Sequence, residues 1–307
     1  MRRIKRTAFS QEGKWFKGNI HAHTTVSDGT VTPEQQAEDY RAAGYDFLSI
    51  TDHNVMLAHE QLSCGDFLVL PGWERDIPLE EKVKCIHMVG LFPADTPDGA
   101  EFSRPKGDPA DMSMQELVDQ MRGENVYTVI AHPLWSRMEP EEVRALHNYD
   151  AIEVFNTGTE RLCHAGHAET YWDMLLRDGK RVHGVACDDT HGKGAKSDRF
   201  GGWVMVNAPE LTREAILSAL KSGNFYASCG PELREVSLED GVLTVSCSPC
   251  EEIHVISYPP RGKTHYALGE PLTGVSYPLK GGERYVRVEC IDAQGNAAWS
   301  NPIFLAE

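Results

Sequence analysis

Short, almost uninterrupted apolar runs recur along the first three quarters of the chain, at residues 45–50, 67–70, 84–92, 126–130, 151–155 and 182–186. Runs of this length, apolar on both faces, predict strands buried within a parallel sheet. Helix signals fall between them. Thr32-Pro33-Glu34-Gln35 combines a threonine N-cap with proline at N1 and glutamine at N3, and Gly44 stops that helix. Ser113-Met114-Gln115-Glu116 is a capping box opening a helix that Gly123 closes, and a last helix runs from Thr212 to Lys221 before Gly223. The alternation over residues 18–226 predicts βα units around a parallel sheet, an α/β fold. Pro71-Gly72 reads as a turn after the second run.

The texture changes near Pro231. Residues 242–247, 252–257 and 285–290 alternate apolar with polar positions between turns such as Pro260-Arg261-Gly262 and Ala293-Gln294-Gly295. This predicts two domains: an α/β domain over 15–230 and a small antiparallel, β-sandwich-like domain over 231–307.

The polar residues that punctuate these runs share one chemistry. His21-Ala22-His23 with Asp28, Asp52-His53, Glu74, His132 and Asp189-Thr190-His191 come after strand-like runs, and His87 lies inside one. Six of the 13 histidines are in these clusters. Imidazole and carboxylate are the ligands that hold zinc, manganese or iron. Groups delivered from several strand ends in this way predict a multinuclear metal site on the rim of a barrel. Such sites activate water.

Charge and cysteine content narrow the partners. With 46 acidic against 30 basic residues the formal charge is −16, which disfavours nucleic-acid phosphates and anionic membranes over most of the surface. No stable nucleic-acid partner is expected. The basic start, Met1 to Arg6, is followed by no apolar run of signal-peptide length, and no segment has transmembrane length, so the expected location is the cytoplasm. The eight cysteines then read as reduced thiols. Cys247-Ser248-Pro249-Cys250 is a single CxxC without a second pair and reads as structural.

The motifs His21-Ala22-His23-Thr24-Thr25-Val26-Ser27-Asp28-Gly29, Thr51-Asp52-His53-Asn54, Pro71-Gly72-Trp73-Glu74, His87, Ala131-His132-Pro133 and Asp189-Thr190-His191 resemble, in order and spacing, the PHP (polymerase and histidinol phosphatase) family. The resemblance covers roughly residues 15–230. It implies a distorted, TIM-like (βα)7 barrel and a metal-dependent phosphoesterase with two or three divalent ions. His21, His23, Glu74 and Asp189 would hold the first ion, with Glu74 bridging to a second held by His87 and His132. Asp28, His53 and His191 would hold a third. Asp52 would orient a ligand as an outer-shell oxygen. Glu74, Asp189 and His191 are the expected catalytic residues. The implied reaction is attack of a metal-bridging hydroxide on the phosphorus of a small phosphorylated metabolite or nucleotide. Two other readings stay open: an amidohydrolase-like enzyme cleaving a C–N or other non-phosphate bond, and a noncatalytic metal-binding module.

Substrate contacts are less legible. Arg199 follows the Asp189 to His191 motif and is the preferred phosphate clamp among Arg137, Arg161, Lys193, Lys196 and Arg199. Asn156, at a strand end, reads equally as a substrate contact and as a helix cap. His164 and His167, three apart on an expected helix, read as a solvated face.

Overall fold

The computed structural model of the chain describes residues 5–10, 12–79, 84–93, 95–96, 112–192 and 197–305. It is a mixed α/β fold, rich in strands, in which the described residues form a sheet of 14 strands and a second of four. The α/β part comprises β2 (Lys14–Asn19), α1 (Pro33–Ala42), β3 (Phe47–Ile50), β4 (Leu68–Leu79), β5 (Lys84–Leu91), α2 (Met114–Gly123), β6 (Tyr127–Ile130), α3 (Pro140–Ala145), β7 (Ala151–Asn156), α4 (Thr157–Cys163), α5 (Glu169–Arg177), β8 (His183–Cys187), β9 (Trp203–Ala208), α6 (Arg213–Lys221) and β10 (Phe225–Ser228). A short β1 (Arg6–Thr7) precedes them.

Local caps set the helix starts. The Thr32 side chain accepts from Gln35 N, Thr212 from Ala215 N, and Ser113 and Glu116 cap each other reciprocally. Strands β2 to β8 stand side by side in chain order, parallel except where β5 runs antiparallel to both β4 and β6. The uniform βα alternation expected from the sequence is therefore broken by the β4–β5 pairing. Beyond their ends, the extensions of β2 and β8 pair through Ala22 and Thr190, with Asp189 N donating to His21 O and His23 N to Thr190 O. The two edges of the seven-strand run thus meet at the end where the histidines emerge.

One apolar cluster draws on all seven strands through Phe16, Phe47, Leu70, Val89, Val129, Ala151 and Val185. Ile216, Leu217 and Leu220 of α6 join the same cluster. The strands are buried on both faces, as parallel strands covered by helices must be. Pro71-Gly72 is not a turn. It lies inside β4, where Pro71 pairs with Ile50 and a Cβ at Gly72 would run into Ser49 Oγ and Thr51. Close packing of neighbouring strands, not chain reversal, requires that glycine.

The remaining strands are β11 (Leu233–Glu239), β12 (Val242–Cys250), β13 (Glu252–Tyr258), β14 (Lys263–Tyr266), β15 (Leu272–Pro278), β16 (Tyr285–Ile291), β17 (Ala297–Ser300) and β18 (Ile303–Phe304). The small sheet, in order β1-β11-β12-β15, packs its apolar face against β13 and β16 through Val236, Leu243, Val245, Ile253, Val255, Val286 and Val288. The large sheet runs without interruption from β16 through β17, β10 and β9 into β2. No helix among the described residues is long and apolar enough to cross a membrane.

Candidate metal centre

Each strand of the seven-strand run except β7 ends in, or carries at its rim end, one of the expected ligands. His21 and His23 follow β2, His53 follows β3, Glu74 lies in β4, His87 in β5, His132 follows β6, and Asp189 and His191 follow β8. Because β5 is antiparallel, its first half reaches the rim, and His87 pairs in register with Asp76 of β4. His132 and Asp189 have positive φ, 23° and 53°, conformations that L-residues adopt at a cost and that cluster at functional sites.

Four donor atoms converge at the centre. His21 Nε2 lies 3.1 Å from His23 Nε2, 3.3 Å from Glu74 Oε2 and 3.2 Å from Asp189 Oδ1, and His23 Nε2 lies 3.1 Å from both carboxylate oxygens. A regular tetrahedron with such edges has its centre about 2 Å from each corner, the length of a zinc–nitrogen or zinc–oxygen bond. Asp189 Oδ1 is buried and makes no hydrogen bond. Atoms aimed at a shared point fit a cation better than they fit one another.

The second oxygen of Glu74 faces the other way. Its Oε1 lies 2.9 Å from His87 Nδ1 and 3.0 Å from His132 Nε2. One buried carboxylate thus serves two donor groups. A third group brings His53, Asp28 and His191 together, with His191 Nε2 3.3 Å and His53 Nε2 3.8 Å from Asp28 Oδ1. His23 belongs to it as well: its Nδ1, buried without a hydrogen bond, lies 3.8 Å from the same oxygen.

Charge explains the ionisation of these groups. Burial opposes protonation of His21, but the carboxylates of Asp189, Glu74 and Glu153 outweigh it and hold the imidazole well above its ordinary value. His23 is likewise raised to about 9 and His87 to about 11, despite burial, by the carboxylates around them. Burial would raise Glu74, yet His21 and His87 keep it well below its usual range. His191, half-enclosed, is lowered by burial. The centre attracts positive charge.

Two supporting residues escaped the motif reading. Glu153 of β7, buried, accepts from His21 Nδ1 at 2.7 Å, His132 N at 2.8 Å and Asn156 Nδ2 at 2.8 Å. With Nδ1 donating there, His21 presents Nε2 to the centre. Asp76 accepts from His53 Nδ1 at 2.7 Å. A carboxylate inside the apolar run 151–155 was the signal for Glu153, while Asp76 had none. Trp135 closes one side, its ring 5.0 Å from that of His132 and 5.5 Å from that of His87.

Other expected roles shift. Asp52 accepts from Thr24 N and Oγ1 and from Ser27, so it holds the turn carrying Asp28 rather than an imidazole. Asn156 caps α4, accepting from Thr159 N, and its amide donates to Glu153 and to Asp189 Oδ2 at 3.2 Å. It is fully buried, which favours the capping reading. A cavity of about 610 Å3 opens over Asp28, Glu74, His132 and His191, walled by Trp135, Thr159, Arg161 and Leu162. Arg199 is not in its wall: it pairs with Asp39 of α1, whose carboxylate competes for the guanidinium. Arg161, and not Arg199, lines the cavity. Arg137 donates to Leu134 O, while Lys193 and Lys196 lie outside the described residues. His164 and His167 are not on one helix: α4 ends at Cys163, and His164 is its left-handed cap.

No family model and no curated protein matches the chain. Among solved structures it is similar to a two-domain protein from Bacteroides vulgatus, described as containing a predicted PHP-like metal-dependent phosphoesterase. The TM-score is 0.51 at 16% identity, over 99% of both chains. A Bifidobacterium adolescentis protein named as a metal-dependent phosphoesterase matches 59% of this chain and 89% of its own, at 19% identity and a TM-score of 0.42. An amidohydrolase from Chromobacterium violaceum, solved with sulfate and without metal, matches 67% and 96% at 16% identity and a TM-score of 0.43. The full-length match shows a shared fold.

Proposed function

We propose that the chain is a metal-dependent phosphoesterase of the PHP family, with β2 to β8 as its distorted (βα)7 barrel, acting on a small phosphorylated metabolite or nucleotide. The observation that carries the reading is the division of Glu74, whose two oxygens face two separate donor groups 2.9–3.3 Å away. A carboxylate shared in that way is what closely spaced dications require to limit their mutual repulsion.

His21, His23, Glu74 and Asp189 would hold one ion, Glu74, His87 and His132 a second, and Asp28, His53 and His191, with His23 facing them, a third. When bound, such ions lower the pKa of water and screen the negative oxygens of a phosphate ester. The chain's own residues prepare this. Glu153 fixes the ring of His21, and Asn156 holds Asp189 Oδ2 so that Oδ1 faces inward. Trp135 and Leu162 provide apolar walls, and Arg161 offers a planar guanidinium at the cavity mouth for an anionic group. The acidic exterior repels long polyanions, which favours small esters over DNA or RNA.

The test is a substrate panel. Enzyme loaded with manganese or zinc is offered sugar phosphates, histidinol phosphate, mono- and bisphosphorylated nucleotides, cyclic phosphates, amides and lactones. Release of phosphate, or of product detected by mass, from the phosphate esters is expected. Turnover of amides alone, with every phosphate ester inert, would replace the reading with an amidohydrolase.

A further inference from the structure

A second ligand-like cluster lies in the other core, far from the histidines in sequence. Cys247 and Cys250 of β12 and Cys290 of β16 bring their Sγ atoms within 4.8 Å of one another, and all three are buried. Spacing alone does not produce this arrangement. Residues three apart on a regular strand face opposite sides of the sheet. Here the register of β12 against β15 shifts between Ser246, opposite Gly274, and Cys250, opposite Leu272. Four residues on one strand span two on the other, so the strand bulges and both cysteines turn inward. Cys290 meets them from the facing sheet, where it pairs with Ile253.

We propose that Cys247, Cys250 and Cys290 form a three-sulfur site for a soft, thiophilic d10 cation, zinc or copper(I), separate from the His and carboxylate centre. Sulfur ligands select these metals, whereas the imidazole and carboxylate donors of the first centre suit manganese and iron as well as zinc. Three sulfurs bound to one ion at about 2.3 Å stand roughly 4 Å apart, inside the observed spacing. Arg234 lies beside the cluster, its Nη1 donating to the backbone carbonyl of Cys247 at 3.2 Å. Among the described residues this group contains no fourth ligand atom, which favours an ion content with three donors. The site ties the small sheet to the large one across the second core.

The full-length chain, reduced and stripped of metal, is titrated anaerobically with cadmium(II). Cadmium bound to sulfur absorbs by charge transfer in the near ultraviolet, and cadmium bound to imidazole or carboxylate does not. A band saturating at one equivalent of sulfur-bound cadmium is expected. It should vanish in Cys290→Ser and Cys250→Ser and persist in Cys163→Ser, whose residue is exposed. Zinc(II) and copper(I), added in separate arms, identify the favoured ion by displacing cadmium. Absence of the band from the wild-type chain, whatever the variants do, overturns the proposal. So does a band that survives in folded Cys290→Ser.

Discussion

Glu153→Gln is the substitution in which the geometry makes the sharpest demand. The carboxylate accepts from three donors: His21 Nδ1 on one oxygen, His132 N and Asn156 Nδ2 on the other. A glutamine of the same shape has one oxygen and one NH2, so in either orientation its NH2 meets a donor. Keeping the oxygen on the side with two donors is the cheaper choice, and it turns NH2 toward His21 Nδ1. Once Nε2 ligates an ion, the ring's remaining proton sits on Nδ1 and faces that NH2, donor against donor. A buried donor left without an acceptor costs about 1–3 kcal/mol. At 1.4 kcal/mol per tenfold, this corresponds to roughly 10–100-fold weaker metal binding, the usual range for outer-shell changes. The assay is competition with a chromophoric chelator, run beside thermal unfolding of the metal-free protein to establish that the variant is folded. Metal affinity within about threefold of wild type, under 0.7 kcal/mol, would refute the assignment of Glu153 as the residue that sets the His21 tautomer.

The same geometry makes three other demands. Glu74→Ala should strip more metal than His191→Ala in elemental analysis, because Glu74 faces two donor groups and His191 one; equal losses would remove the bridging role. Arg161→Ala should lower kcat/KM for phosphate esters about tenfold or more, the value of a charge-assisted hydrogen bond, while Arg199→Ala, paired with Asp39 off the cavity, should leave it within about twofold. His183, packed against Phe225 with an unpartnered Nδ1, is pushed by burial from 6.5 down to about 4. The unfolded chain therefore binds the extra proton first, and stability is lost as pH falls from 6.5 toward 4, by at most about 3 kcal/mol. Urea unfolding at pH 7.5 and pH 5 should show a shallower loss for His183→Gln, and equal losses would contradict it.

The legible parts of this chain were those in which a short stretch determines its own geometry. Thr32 and Ser113 cap their helices with side chains three residues from their partners, so the helix starts could be read locally. The histidines and carboxylates at strand ends were legible because parallel strands bring their C-terminal ends to one rim. Pro71-Gly72 misled because its turn propensity was overridden by pairing with β3 and β5. Arg161 and Arg199 could not be ranked from the sequence, since Asp39, which occupies Arg199, is 160 residues away. Cys290 is 40 positions beyond Cys250, and only the packing of two sheets, with a bulge in one, relates them.

The pairing of β1 with β11 bears on how this molecule is made. Arg6 sits opposite Leu238, and Tyr226 of β10 lies between Met205 of β9 and Ser300 of β17. During synthesis β1 has no partner until β11, 232 residues further on, has left the ribosome, and β10 keeps an open edge until β17 emerges. A chain stopped near Gly230 would carry that open edge permanently, an invitation to pair with another copy. Contacts so distant in sequence form slowly. Expression at lowered temperature or with chaperones should therefore improve recovery of the full chain, and of a Gly230 truncation most of all.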